Sequence, residues 1–170
     1  GLNLILGFTG QLTMGHAAFM SIGAYGSAIM TQNFNMPFAV SLIVGTIVAC
    51  ILAAAIGYPI LRLKGDYLAI CTLGFGEIVK VIIQNIDYVG GARGMTSIPT
   101  KSSLLIIFLC VCGCFAFLKN LLHSSKGRAI MSVREDEISA EAMGINTTKY
   151  KMIAFIIGSG MAGLAGGLYA

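Results

Sequence analysis

Residues 1–61, GLNLILGFTGQLTMGHAAFMSIGAYGSAIMTQNFNMPFAVSLIVGTIVACILAAAIGYPIL, contain no Asp, Glu, Lys or Arg. A water-soluble domain covers its surface with charge, and ordinary globular chains carry about 25% charged residues. No soluble fold can leave a stretch this long without a charged surface. The expected class is therefore a polytopic membrane protein, an all-α bundle of transmembrane helices. The rest of the 170-residue chain agrees, with 56% hydrophobic residues, 11% charged residues and a mean hydropathy of +0.86. A net charge of +4 is modest, and it reads as a signal of membrane orientation, not of nucleic-acid affinity.

Leu2 to Thr31 would run roughly 45 Å as one straight helix, whereas the hydrocarbon core needs only about 30 Å. The excess falls where Gly7, Thr9, Gly10, Gln11, Thr13, Gly15 and His16 cluster. Non-helical backbone at membrane depth is tolerated where it lines a cavity or is buried in protein, so at least one broken or re-entrant helix is expected here. The competing reading is a single tilted helix with a few polar interhelical contacts. Asn33 to Pro37 reads as a turn, and Phe38 to Leu61 as a clean span ended by Arg62, Lys64 and Gly65, with Pro59 near its end.

Asp66 to Asp87 is long enough to cross, at about 33 Å, yet it holds Glu77, Lys80 and Gln84. At about 100° per residue, Asp66, Glu77, Lys80, Gln84 and Asp87 fall within an arc of roughly 80°. Leu68, Phe75, Val79, Ile82 and Ile86 take the other side. A charge at a span's centre costs about 2.5–3.5 kcal/mol on insertion scales, so the stripe should face protein or water. Glu77 and Lys80, three apart, can pair. The stripe is then either a structural ion pair locking helices together or a wall of a permeation path. Tyr88 to Lys101 reads as an aqueous loop, Ser102 to Leu118 as a short span with Lys119 snorkelling, and Met152 to Ala170 as a final span.

Three apparent motifs dissolve on inspection. Cys110, Cys112 and Cys114 are two apart, so on a helix successive members point about 200° away from each other and cannot converge on one ion. Gly158-Ser-Gly160-Met-Ala-Gly163 fits G-x-G-x-x-G, but no strand precedes it and the run is apolar. Its fourfold spacings, Ser159/Gly163/Gly167 and Gly158/Ala162/Gly166, suit close helix packing instead. His16 beside Gln11 and Thr13 offers a base for an intramembrane enzyme, but no recognisable nucleophile or metal partner accompanies it. The chain is not expected to be an enzyme, nor to bind a cofactor of its own.

Half of the charged residues sit in Ser125–Lys151, SKGRAIMSVREDEISAEAMGINTTKYK, between two apolar runs. Acidic residues at 135–137 suit a helix start, and Gly144 suits a left-handed end. Between them lies an eight-residue helix with Ile138 and Ala142 on one face and Ile145 just beyond. Isolated helices shorter than about 12–15 residues are marginal in water, so this one needs a docking surface. Counting Lys and Arg by side gives Arg62, Lys64, Lys119, Lys126, Arg128, Arg134, Lys149 and Lys151 against Arg93 and Lys101, with Lys80 inside a span. This bias puts the connector in the cytoplasm.

GRAIMSVREDEISAEAMGIN and the following TKYKMIAFIIGSGMAGLAGGLYA resemble the cytoplasmic coupling loop and next helix of branched-chain amino acid ABC transporter permeases, above all their M-type subunit. LKGDYLAICTLGFGEIVKVIIQNIDYVGGARGM and GQLTMGHAAF are similar to the same family. Two departures stand out. Val89-Gly90-Gly91 replaces the frequent Thr-Gly-Gly, and Ala140-Glu141-Ala142 with Gly144 replaces the general importer pattern of Glu-Ala-Ala with Gly six residues after the Glu, which would begin at Ile138. The resemblance spans the whole chain but only the middle of a usual permease. It implies a single transmembrane permease domain, 1–170, incomplete at both ends, with coupling loop 125–151, in a bacterial inner membrane.

The resemblance further implies cytoplasmic ABC ATPase subunits, a second homologous permease subunit and a periplasmic or surface substrate-binding protein as partners, besides membrane lipid. ATP would be used by the partner, since no G-x-x-x-x-G-K-[ST] loop occurs here. Gln11, Thr13, His16, Glu77 and Lys80 are the candidate translocation-path residues. Glu137, Ala140, Glu141, Ala142 and Gly144 are the candidate ATPase-coupling residues. Urea and amide ABC permeases are similar, and a secondary transporter or channel for small polar solutes is the alternative class, since broken helices and intramembrane charges suit either.

Overall fold

The computed structural model describes residues 1–33, 37–63, 65–86, 91, 94–95 and 104–170. All regular structure among them is helical: a π-turn at Leu4–Phe8, then α1 (His16–Asn33), α2 (Phe38–Ile60), α3 (Asp66–Asn85), α4 (Leu104–His123), α5 (Ser125–Glu135), α6 (Glu137–Ala142) and α7 (Thr147–Tyr169). Three of these, α2, α4 and α7, are long and apolar enough to cross a membrane. The architecture is the expected all-α membrane bundle. Residues 34–36 of the expected turn and most of the loop at 88–101 lie outside the described residues.

The first long run is broken where expected. A π-turn gives way at Gly10, whose φ is +66°, to irregular backbone that ends only at His16. This segment stays anchored, because Gln11 N–H donates to the Ile5 carbonyl at 3.2 Å and Met14 N–H to Thr72 Oγ1 on α3 at 3.0 Å.

Helices α1, α2 and α7 form the centre, held by close backbone approach. A Cβ at Gly23 would overlap the Gly163 backbone, and one at Gly45 would stand 2.7 Å from the Gly23 carbonyl oxygen. Both stripes of small residues on α7 are buried, Gly158/Ala162/Gly166 and Ser159/Gly163/Gly167. In lipid such contact replaces the hydrophobic driving force as the source of helix association. Phe19 ties the layers, its ring 5.4 Å from Phe75 of α3 and 5.5 Å, edge-on, from Phe155 of α7. Aromatic pairs at such distances add about 0.5–1.5 kcal/mol beyond area burial.

Helix α4 buries no residue and exposes Phe108, Phe115 and Phe117, as suits an apolar helix whose solvent is hydrocarbon. It meets the bundle through its C-terminal end, where Leu118, Leu121 and Leu122 join Leu4, Ile130 and Ala154. That cluster exists because Ser125–Glu135 is a helix rather than an open connector. Ser124 caps it, accepting from Gly127 N–H at 3.2 Å, and its inward face is Gly127, Ile130 and Val133.

Candidate functional site

The candidate path residues fall into separate places. Gln11 and Thr13, each 5% exposed, come from the irregular segment before α1, and His16 is its first helical residue. Gln11 Oε1, Thr13 Oγ1, His16 Nδ1 and, on α7, Ser159 Oγ are buried with no hydrogen-bond partner among the described residues. Orphaned polar atoms are costly in an apolar interior, and three of these four come from the broken element and the first residue after it.

Glu77 and Lys80 are elsewhere. They pair at 3.2 Å on the outward side of α3, with side chains 63% and 59% exposed. Because both belong to α3, the pair does not lock one helix to another, contrary to one of the two readings of the stripe. With Gln84 they line a groove of about 390 Å³ whose other wall is Met14, Ala17, Ser21 and Tyr25. The bundle-facing side of α3 is Leu68, Ala69, Thr72 and Val79, so of the expected apolar side Leu68 and Val79 are buried and Phe75 partly, whereas Ile82 and Ile86 near the helix end are exposed. Gln11 lines a different cavity, against the connector. Ser21 and Tyr25 escaped the sequence reading, although their i, i+4 spacing on α1 put them on one face.

The connector is more tightly built than expected. α6 has six residues, not eight, because Glu135 closes α5 and Asp136 is the cap between the two helices. Asp136 Oδ1 accepts from the N–H groups of Ile138 and Ser139 at 2.9 and 3.2 Å, and Ser139 Oγ donates to Oδ2 at 2.6 Å. The Ser139 hydroxyl first, then these backbone donors, hold the Asp136 carboxyl below the usual carboxylate range. At the other end Gly144 takes φ +81° and donates to the Glu141 carbonyl at 2.9 Å, while Ile145 N–H reaches the Ala140 carbonyl at 3.0 Å. This is a Schellman ending.

Of the five candidate coupling residues, Ala140 is buried and Gly144 makes the stop. Glu137 is half-buried and Glu141 exposed, and both bond to α7. Glu137 accepts from Lys151 Nζ at 2.7 Å and Glu141 from Thr147 Oγ1 at 2.7 Å, fastening α6 to the first turns of α7. What α6 shows outward is Ile138, 79% exposed, with Met143 at 82% and Ala142 beside them. The outward surface of α6 is therefore led by an apolar pair. Among the described residues no group of three His, Cys, Asp or Glu is placed to hold a metal.

The protein family described as branched-chain amino acid transport system / permease component matches residues 1–170. The high-affinity branched-chain amino acid transport system permease protein LivM of Salmonella typhimurium is 33% identical over 100% of this chain and 48% of its own length. The Escherichia coli LivM is 32% identical with the same coverage. The LivH protein of Salmonella typhimurium, also a permease protein of that transport system, is 25% identical over 98% of this chain and 63% of its own length. The chain thus spans about half the length of the LivM relatives it matches. No solved structure matches it.

Proposed function

The chain belongs to the family of branched-chain amino acid transport system permease components, and on that premise we propose that it is part of a membrane-spanning subunit of an ABC importer for branched-chain or related amino acids. ATP would be hydrolysed by separate cytoplasmic subunits. A second, homologous permease subunit and a substrate-binding protein at the outer face complete the assembly, and the chain itself catalyses no reaction. It sits in a bacterial inner membrane with the connector 125–151 in the cytoplasm, the side favoured by eight Lys and Arg against two.

The observation that carries this reading is α6. A helix of six residues cannot persist alone in water, and this one is capped at both ends and bonded to α7 while Ile138 and Met143 project outward. Such a build suits transmission of force, because a push on the apolar face passes through Glu137–Lys151 into α7, which packs on the broken element and α1. The orphaned polar atoms of Gln11, Thr13 and His16 suit a path for a small polar solute.

The test is uptake by the full-length protein reconstituted in vesicles with its ATPase and binding-protein partners. Leucine accumulation that requires ATP and survives a protonophore is expected. Accumulation that collapses with the proton gradient and persists without ATP would make the protein a secondary transporter.

A further inference from the structure

A cavity of about 520 Å³ lies where the broken element, the start of α3 and the α5–α6 junction meet. That volume falls in the range of small-molecule sites. Its lining combines three chemistries. Gln11 enters from the break, 95% buried, with its carbonyl oxygen unpartnered. Asp66, Arg134 and Glu135 bring both signs of charge, and none of them has an ion-pair partner among the described residues. Leu63, Leu68 and Val133 supply an apolar wall.

The other charges at this cavity are already engaged. Glu137 is paired with Lys151, and Asp136 accepts three hydrogen bonds that cap α6. The Arg134 stem lies over Gly10, where an added Cβ would stand 3.4 Å from its Cγ, which brings this exposed side chain up beside the break.

We propose that this cavity is an inner-face binding site for a zwitterionic α-amino acid with an apolar side chain. The inference rests on the permease reading above, since it takes the connector side as cytoplasmic. Arg134 takes the carboxylate, for which its planar fork is suited. Asp66 and Glu135 take the ammonium, the Gln11 amide accepts or donates one further hydrogen bond, and the apolar wall takes the side chain. A solute leaving the path is held here, between the broken element and the connector, before release.

The experiment measures binding of radiolabelled L-leucine to the full-length permease complex in nanodiscs without the binding protein, against 3-methylbutylamine and 4-methylpentanoate, which each keep one charge. Leucine is expected to bind at least tenfold more tightly than either. Arg134→Gln is expected to cost leucine tenfold and to bring it level with the amine, a change of selectivity that a merely structural role would not produce. Asp66→Asn provides the second variant and is expected to bring leucine towards the acid.

Leucine binding that is absent, matched by the amine in the wild-type complex, or unchanged in selectivity in both variants overturns the site. If ATP-driven leucine uptake is intact in that case, the permease reading stands and only the inner-face site falls. A wild-type complex that takes up no branched-chain amino acid overturns both.

Discussion

Lys151 Nζ donates to Glu137 Oε1 at 2.7 Å, joining the first residue of α6 to the second turn of α7 across the whole of the capped connector. Both side chains are largely shielded, at 12% and 29% exposure, so the pair escapes much of the solvent screening that weakens surface ion pairs. A double-mutant cycle with Glu137→Gln and Lys151→Met is expected to give a coupling of about 1 kcal/mol. Hydrogen exchange of the α6 amides reads it, and ATP-driven uptake falls severalfold in either single variant. Zero coupling would detach α6 from α7 energetically.

Asp136 sets a pH limit on the same element. Its carboxyl is held low by the Ser139 hydroxyl and the N–H groups of Ser139 and Ile138. A group whose folded value is depressed contributes stability that is fully present above the unfolded value, about 3.9 for Asp, and is lost as pH falls through the folded value. Protection of the Ile138 and Ser139 amides, relative to exchange of the free chain at the same pH, is therefore expected to fall below about pH 4 in the wild type. In Asp136→Asn this pH dependence disappears.

Gly144 ends α6 with φ +81° and no atom within 4 Å of an added Cβ. Substitution there strains the backbone without creating a clash. Gly144→Val is expected to cost about 1–2 kcal/mol and to reduce co-purification of the ATPase. Gly144→Asn, a residue tolerated in the left-handed region, retains most of it. Equal behaviour of the two variants would show that the left-handed stop is not what matters.

Glu77 tests the outer groove. Its pair with Lys80 is exposed and internal to α3, so it stabilises the fold by no more than about 1 kcal/mol. Glu77→Gln is expected to lower leucine uptake severalfold with the thermal stability of the purified complex unchanged. Unchanged uptake would remove Glu77 from the path.

The break before α1 was legible because a charge-free run too long for the bilayer had its glycines and polar residues in one cluster. The polar side of α3 was legible for the same kind of reason, since four charges within 22 residues mark one arc of a helix, whereas Ile82 and Ile86 of the expected apolar side are exposed. Helix α5 was not. The charged residues of SKGRAIMSVRE dominate its composition, and the signals that do exist are quieter: Ser124 as a cap, and Gly127, Ile130 and Val133 three apart. The bonding of Glu137 and Glu141 to α7 was also hidden, because Lys151 and Thr147 come near them only after α7 folds back against the connector. No local pattern encodes that return. Nor could spacing reveal that Gln11 and Glu77 line different cavities.

We propose that the ATPase takes hold on the outward apolar face of α6. The most direct measurement is co-purification of the ATPase subunit with full-length Ile138→Asp permease, alongside ATP-driven leucine uptake. Ile138 is 79% exposed, so the substitution leaves the permease folded. The ATPase is expected to be lost and uptake to fall with it. Wild-type association and uptake in this variant would contradict it.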